Sequence, residues 1–183
     1  DPALTNDLCN FWHFRFDAHA NMKLNILTDY IAADPDIKSM YIIGQDYSFG
    51  QVVSDTSIEL LKQKRPDIEI VGNEFHPIGQ VKDFTPYVTK IVSSGADAVI
   101  TGNFGADMVS LARSIIDSGL DIPIYTFYAA YDGITATLGE GGKNRIRLIH
   151  NGVANPLPSE ERKQFNRDFK AENPNFDVTQ PRI

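Results

Sequence analysis

A chain of 183 residues with 42% hydrophobic and 10% aromatic residues can bury the core of one domain, which excludes a disordered chain. Its formal charge of -7, without a cluster of Lys or Arg, argues against nucleic acid as the main partner. No apolar run approaches the roughly 20 residues that span a bilayer.

The opening stretch, DPALTNDLCN, has neither the basic start nor the apolar middle of a signal peptide, and the chain is expected to be a mature, processed or excised piece of something longer. Cys9 is the single cysteine, so neither an internal disulfide nor a metal cage is expected. His13 and His19 match no helical ligand spacing, and no metal site is assigned. NMKLNILTDYIAA reads as a helix that buries Ile26, Leu27, Tyr30 and Ile31.

From about residue 38, short β-branched apolar runs alternate with helical patterns. Strands are expected near 39–43, 68–71, 97–101, 122–126 and 146–149, buried on both faces of a sheet. Thr85 reads as an N-cap with Pro86 in the first turn, and Gly95 as the end of that helix. Met108, Leu111, Ala112, Ile115 and Ile116 form the stripe of a core-facing helix, with Gly119 as its C-terminal cap. GEGGKN, Gly139 to Asn144, precedes a strand and reads as a surface turn. Ser159 can cap a last helix, with Glu160 and Glu161 at its positive end and Phe165 and Phe169 facing inward. Strands alternating with helices imply an α/β fold, a three-layer doubly wound parallel sheet with the flavodoxin-like order 2-1-3-4-5.

In such sheets ligands bind beyond the carboxyl ends of the strands, where the strand order reverses. The segments GQDYSFGQ and GNFGAD would flank that crevice, with FYAAYDG beside them. Tyr47, Phe49, Asn103, Phe104, Tyr128 and Tyr131 are therefore the candidate ligand-binding residues. Loops of this kind are usually polar, so aromatic residues concentrated here point to a recognition surface; the alternative is that Phe49 and Phe104 plug the sheet end. Asp46 reads as an acceptor for backbone N–H groups of its own turn. GQDYSFG lacks the glycine spacing and the lysine of a phosphate loop, and Ser48 lacks the glycine two places earlier that a nucleophile elbow needs. His76 and His150 read as hydrogen-bonded loop histidines. No catalytic residue and no cofactor is assigned.

Taken together, IIGQDYSFGQ, GADAVITGNFGADMVSLARSIIDSGL, IPIYTF and FNRDFKAENP, in that order and spacing, resemble the extracellular ligand-binding receptors of bacterial ABC transporters. The resemblance is to the branched-chain amino acid-binding type, with the type I periplasmic-binding-protein fold. It implies two α/β lobes around a ligand cleft, of which this sequence would supply mainly the second. Residues 1–20 would arrive from the missing first lobe, 21–172 would form the second lobe, and 173–183 would lead back. The resemblance places Phe49 and Phe104 at the family's aromatic ligand contacts. Where amino-acid binders carry an acid for the ligand's ammonium, this sequence has Tyr128, and the nearest acid is Asp132. That departure favours an aromatic or apolar carboxylate over an amino acid. The implied function is a non-enzymatic solute-binding component, periplasmic or extracellular, that delivers a small molecule to permease subunits in the membrane. A ligand-sensing domain of a receptor or transcriptional regulator with the same fold is the alternative.

Overall fold

A computed structural model describes residues 2–129, 134–149 and 159–174 of the chain, which divides into two compact units, Asp1–His150 and Asn151–Ile183. In the first unit a short 3-10 turn, Pro2–Thr5, precedes α1 (Ala20–Ala32). Then follow β1 (Ser39–Gln45), α2 (Ser48–Lys64), β2 (Glu69–His76), α3 (Thr85–Ser94) and β3 (Ala98–Thr101). The unit continues with α4 (Gly105–Asp117), β4 (Ile124–Thr126), α5 (Ile134–Gly142) and β5 (Ile146–Leu148), and the second unit holds α6 (Glu160–Glu172). Every strand pairing is parallel and the sheet order is β2-β1-β3-β4-β5, as the alternation implies.

Alternation along the strands divides the core between two faces. Tyr41, Ile43, Val99 and Ile124 join the buried residues of α3, α4 and α5. Met40, Ile42, Ala98, Ile100 and Tyr125 join those of α1 and α2. The stripe of α4 packs as expected: Met108, Leu111, Ala112 and Ile115 are fully buried and Ile116 partly so.

Several local expectations are corrected. Strand β2 continues to His76, well past the expected end, paired with β1 as far as Gln45. The register shifts between Met40 and Tyr41, and a Cβ on Gly72 would lie 2.1 Å from the Tyr41 ring. Gly72 therefore marks a close approach inside the strand. In α1 the buried face is Ala20, Lys23, Leu24, Leu27, Thr28 and Ile31, while Ile26 and Tyr30 are 54% and 53% exposed. Two apolar stripes lie side by side on this helix, and the one containing Ala20 and Leu24 meets the sheet. Phe84, not Thr85, occupies the N-cap of α3, and Asp83 Oδ1 accepts the Thr85 N–H at 2.9 Å. Gly139 to Gly142 belong to α5, which kinks at Gly139, so the turn begins only after Gly142. Phe165 is 60% exposed and stacks on Phe169 at 6.2 Å, on a helix otherwise made mostly of charged and amide residues.

The amino-end rim of the sheet is held by one carboxylate. Asp97 Oδ2 accepts the Lys38 N–H at 2.9 Å, the Ser39 N–H at 2.8 Å and the Ser39 hydroxyl at 2.9 Å. The Lys38 N–H is the main reason that this carboxyl is held below its ordinary value, with Ser39 adding to it against the opposing effect of burial. A depressed folded-state pKa contributes stability that is complete above the unfolded value and is lost as pH falls through the folded one. Asp97→Ala is expected to lower stability by about 1–3 kcal/mol at neutral pH. Urea denaturation across a pH series should show the deficit shrinking as the solution is acidified through the carboxyl range.

Candidate functional site

The carboxyl ends of β1, β3 and β4 open onto one cavity of about 550 Å³. Tyr47 and Phe49, at the start of α2, form one side, and Phe104 and Gly105, at the start of α4, form another. Tyr128, in the loop after β4, stands between them; Val109 of α4 with Ile134 and Thr137 of α5 complete the lining. The rings meet one another. Phe49 lies 5.8 Å from Tyr47 and 5.8 Å from Tyr128, and Phe104 meets Tyr128 edge-on at 6.1 Å. Buried Phe127 supports the group from below, 4.9 Å from Tyr128 and 6.3 Å from Phe49. Burial pushes the Tyr47 phenol above its ordinary pKa, so this ring presents a neutral hydroxyl.

Local sequence explains the placement. Gly50 begins the inward face of α2, where a Cβ would lie 1.9 Å from the Gln45 carbonyl oxygen. The helix can therefore start directly against the end of β1, which brings Phe49 over the sheet edge. Gly102 does the same for β3, where a Cβ would meet Val53 at 2.9 Å and Phe49 at 3.3 Å. Both helices begin on an aromatic N-cap, Tyr47 and Phe104, and neither has a side-chain capping bond. Their first-turn N–H groups are thus left to solvent or to a ligand.

A buried polar layer lies beside this aromatic group. Gln45 Nε2 donates to Asp107 Oδ2 at 2.7 Å, and the Gly79 N–H donates to the same oxygen at 2.8 Å. Asp107 sits in the first turn of α4, where the helix dipole favours a carboxylate. Asn103 is fully buried and is not among the lining residues: its Nδ2 donates to His76 Nε2 at 2.8 Å. That role makes His76 Nε2 an acceptor, so its Nδ1–H donates to the Pro77 carbonyl at 3.2 Å. His76 is fully buried with Phe84 and Tyr87 edge-on to it, a structural histidine at a strand end.

Tyr47, Phe49, Phe104 and Tyr128 are thus brought together, and Asn103 lies beside the layer that supports them. Tyr131, Asp132 and His150 lie outside the described residues. Asp46 is exposed and continues the sheet instead of closing its own turn, its N–H donating to the His76 carbonyl at 2.7 Å. Sequence reasoning missed Val109, Ile134 and Phe127, which look like ordinary core positions. It also missed Lys23, a 4% exposed residue of α1 whose Nζ stands 4.9 Å from the centre of the Tyr128 ring. A lysine within the buried face of a helix was the available signal. Among the described residues, no group of His, Cys, Asp and Glu could hold a metal ion.

Comparison with known proteins gives a consistent set of matches. The sequence pattern of a family described as periplasmic binding protein matches residues 2–181. Leu/Ile/Val-binding protein homolog 4 of Brucella abortus (strain 2308) is 30% identical over 170 residues, 91% of this chain and 39% of that protein. The chain therefore spans about two fifths of the length of the curated relatives it matches. The closed conformation of the leucine-, isoleucine-, valine-, threonine-, and alanine-binding protein from Brucella ovis superposes with a TM-score of 0.80 at 26% identity, covering 98% of this chain and 45% of that one. A solute binding protein of an ABC transporter from R. palustris, in complex with benzoate, superposes with a TM-score of 0.78 at 17% identity, over 96% of this chain and 47% of that one, a likeness of fold alone.

The close approach at Gly50 yields a direct test. Gly50→Ala is expected to lower stability by about 1–3 kcal/mol, because the new methyl meets a backbone carbonyl that cannot swing aside. Chemical denaturation of parent and variant measures the difference.

Proposed function

The chain belongs to the periplasmic binding protein family, and from that premise we propose that it is the solute-binding component of an ABC importer, working outside the cytoplasmic membrane. Residues 21–172 serve as one lobe, with 1–20 and 173–183 as connecting segments. Its partners are the other lobe of the same protein and permease subunits that receive the solute. Hinge closure of two lobes around a ligand buries it and signals occupancy to the transporter.

The observation that carries this reading is the cavity lined by Tyr47, Phe49, Phe104 and Tyr128 at the sheet end. Its size falls in the range of small-molecule sites, roughly 300–1,000 Å³. The solute is a small organic carboxylate with an aromatic or apolar body. Flat apolar groups gain burial against the rings, plus roughly 0.5–1.5 kcal/mol per well-placed ring pair. No acidic side chain is among the described lining residues, so an ammonium would lose water without gaining a counter-charge. The start of α2, without a side-chain cap or an acidic residue in its first turn, favours an anion instead. The Brucella relatives are named for leucine, isoleucine and valine, one of them also for threonine and alanine. Such a solute satisfies the apolar half of this cavity and requires a partner for its ammonium elsewhere.

Isothermal titration calorimetry of the complete protein against benzoate, 4-hydroxybenzoate, L-leucine and L-valine tests the reading. Benzoate-type carboxylates should bind, and Phe104→Ala should weaken them by roughly tenfold, about 1.4 kcal/mol. Binding of leucine and valine without the aromatic carboxylates would overturn the solute class. Failure of all four, together with a wider panel of small carboxylates and amino acids, would overturn solute binding itself.

A further inference from the structure

Lys23 projects from the buried face of α1, a face otherwise built from Ala20, Leu24, Leu27, Thr28 and Ile31. Its Nζ is 2.7 Å from Asp17 Oδ2 and lies over two rings, 4.9 Å from the centre of Tyr128 and 5.9 Å from that of Phe127. The lysine side chain is 5% exposed and the aspartate 45%. A buried ammonium needs partners that replace its water, and a carboxylate together with a ring face supplies them. An apolar side chain would fill the same space without that requirement, so helix packing alone does not account for a cation here. The ring beneath it joins the cavity walls: Tyr128 touches Phe49 on one side and Phe104 on the other.

We propose that Lys23, anchored by Asp17, is a positioning residue that fixes the ring plane of Tyr128 and thereby sets the shape of the cavity for its solute. The role in solute selection rests on the solute-binding reading; the control of Tyr128 does not. Asp17 precedes α1, so the ion pair also ties the segment before the helix to the cavity wall.

Incorporation of 3-fluorotyrosine into the full chain gives a readout at Tyr128 that needs no solute, with its resonance identified by Tyr128→Phe. Lys23→Met keeps the length of the stem and removes the charge, and it should shift and broaden the Tyr128 resonance. Lys23→Arg keeps a cation over the ring and should leave that resonance near its parent position. Tyr41, bonded to Glu74 at the far side of the sheet, should not move in either variant. With benzoate as probe, Lys23→Met should bind roughly tenfold more weakly than the parent and Lys23→Arg within about threefold. An unmoved Tyr128 resonance in folded Lys23→Met, or an equal displacement in Lys23→Arg, overturns the proposal. Should Lys23→Met fail to fold, Asp17→Asn, at a half-exposed position, carries the same test: a shift in Tyr128 supports the coupling and its absence overturns it. Because the fluorine spectra are recorded without solute, the coupling and the solute class succeed or fail separately.

Discussion

The start of α2 rests directly on the end of β1, and the geometry of the site follows from that contact. Gly50 has no Cβ, so its backbone can sit where any side chain would strike the Gln45 carbonyl. Gly44 lies close by: a Cβ there would sit 3.7 Å from Gly50 Cα, which leaves room for one more methyl and little else. A helix held this close turns its first residues over the sheet edge. Tyr47 and Phe49 then share a rim with the residues that follow β3 and β4. With a looser connection the same aromatic residues would be scattered over the surface. The stretch YIIGQDYSFGQ thus combines a buried strand, a tight junction and two rings of the cavity wall, and the junction makes the other two meet.

The two ends of the sheet differ in how their polar groups are paired. At the amino end, polar groups are densely paired. Asp97 gathers Lys38 and Ser39, and Arg65 donates to the carbonyls of Ala32, Asp34 and Ile37 while pairing with Asp67. At the carboxyl end the pairing is thinner. Gln45 Oε1 and Asn103 Oδ1 are buried without a hydrogen-bond partner, next to the Asp107 and His76 contacts that satisfy their amide nitrogens. An acceptor left unpaired in the interior is destabilising, so each of these two oxygens is a local cost of this layer.

The sheet order was legible because it depends on coarse features: short β-branched runs, helical stripes between them and right-handed crossovers. That Tyr47, Phe49, Phe104 and Tyr128 line one cavity was legible for a related reason, since the topology alone assigns the ends of β1, β3 and β4 to one crevice. Details that depend on side-chain direction were less so. Asn103 lies in the right loop but points into the fold, where His76 offers a better partner than the cavity. His76 itself looked like a loop residue because the expected strand stopped near residue 71, whereas the strand runs on through Gly72, which makes room for the Tyr41 ring. In α1, Met22, Ile26 and Tyr30 form a second apolar stripe beside the buried one, and periodicity cannot choose between parallel stripes of similar polarity. Lys23 was hidden by the general rule that lysine faces solvent.

The two helix starts at the cavity show how chemistry overrides local preference. Ser, Thr, Asp or Asn at an N-cap is worth about 1 kcal/mol over a residue that cannot accept the first-turn N–H groups. Tyr47 and Phe104 occupy those positions instead, each without a side-chain cap. In α4 the loss is softened by Asp107, whose charge lies within the first turn and whose oxygen also holds Gln45 and Gly79. α2 has no acidic residue in its first turn. Its positive end is therefore the less compensated of the two, and it faces a chamber bordered by rings. On the proposed solute-binding reading, an occupant with an apolar body and one negative end would fit both features at once: the body would replace water against the rings, and the charge would take the place of the absent caps.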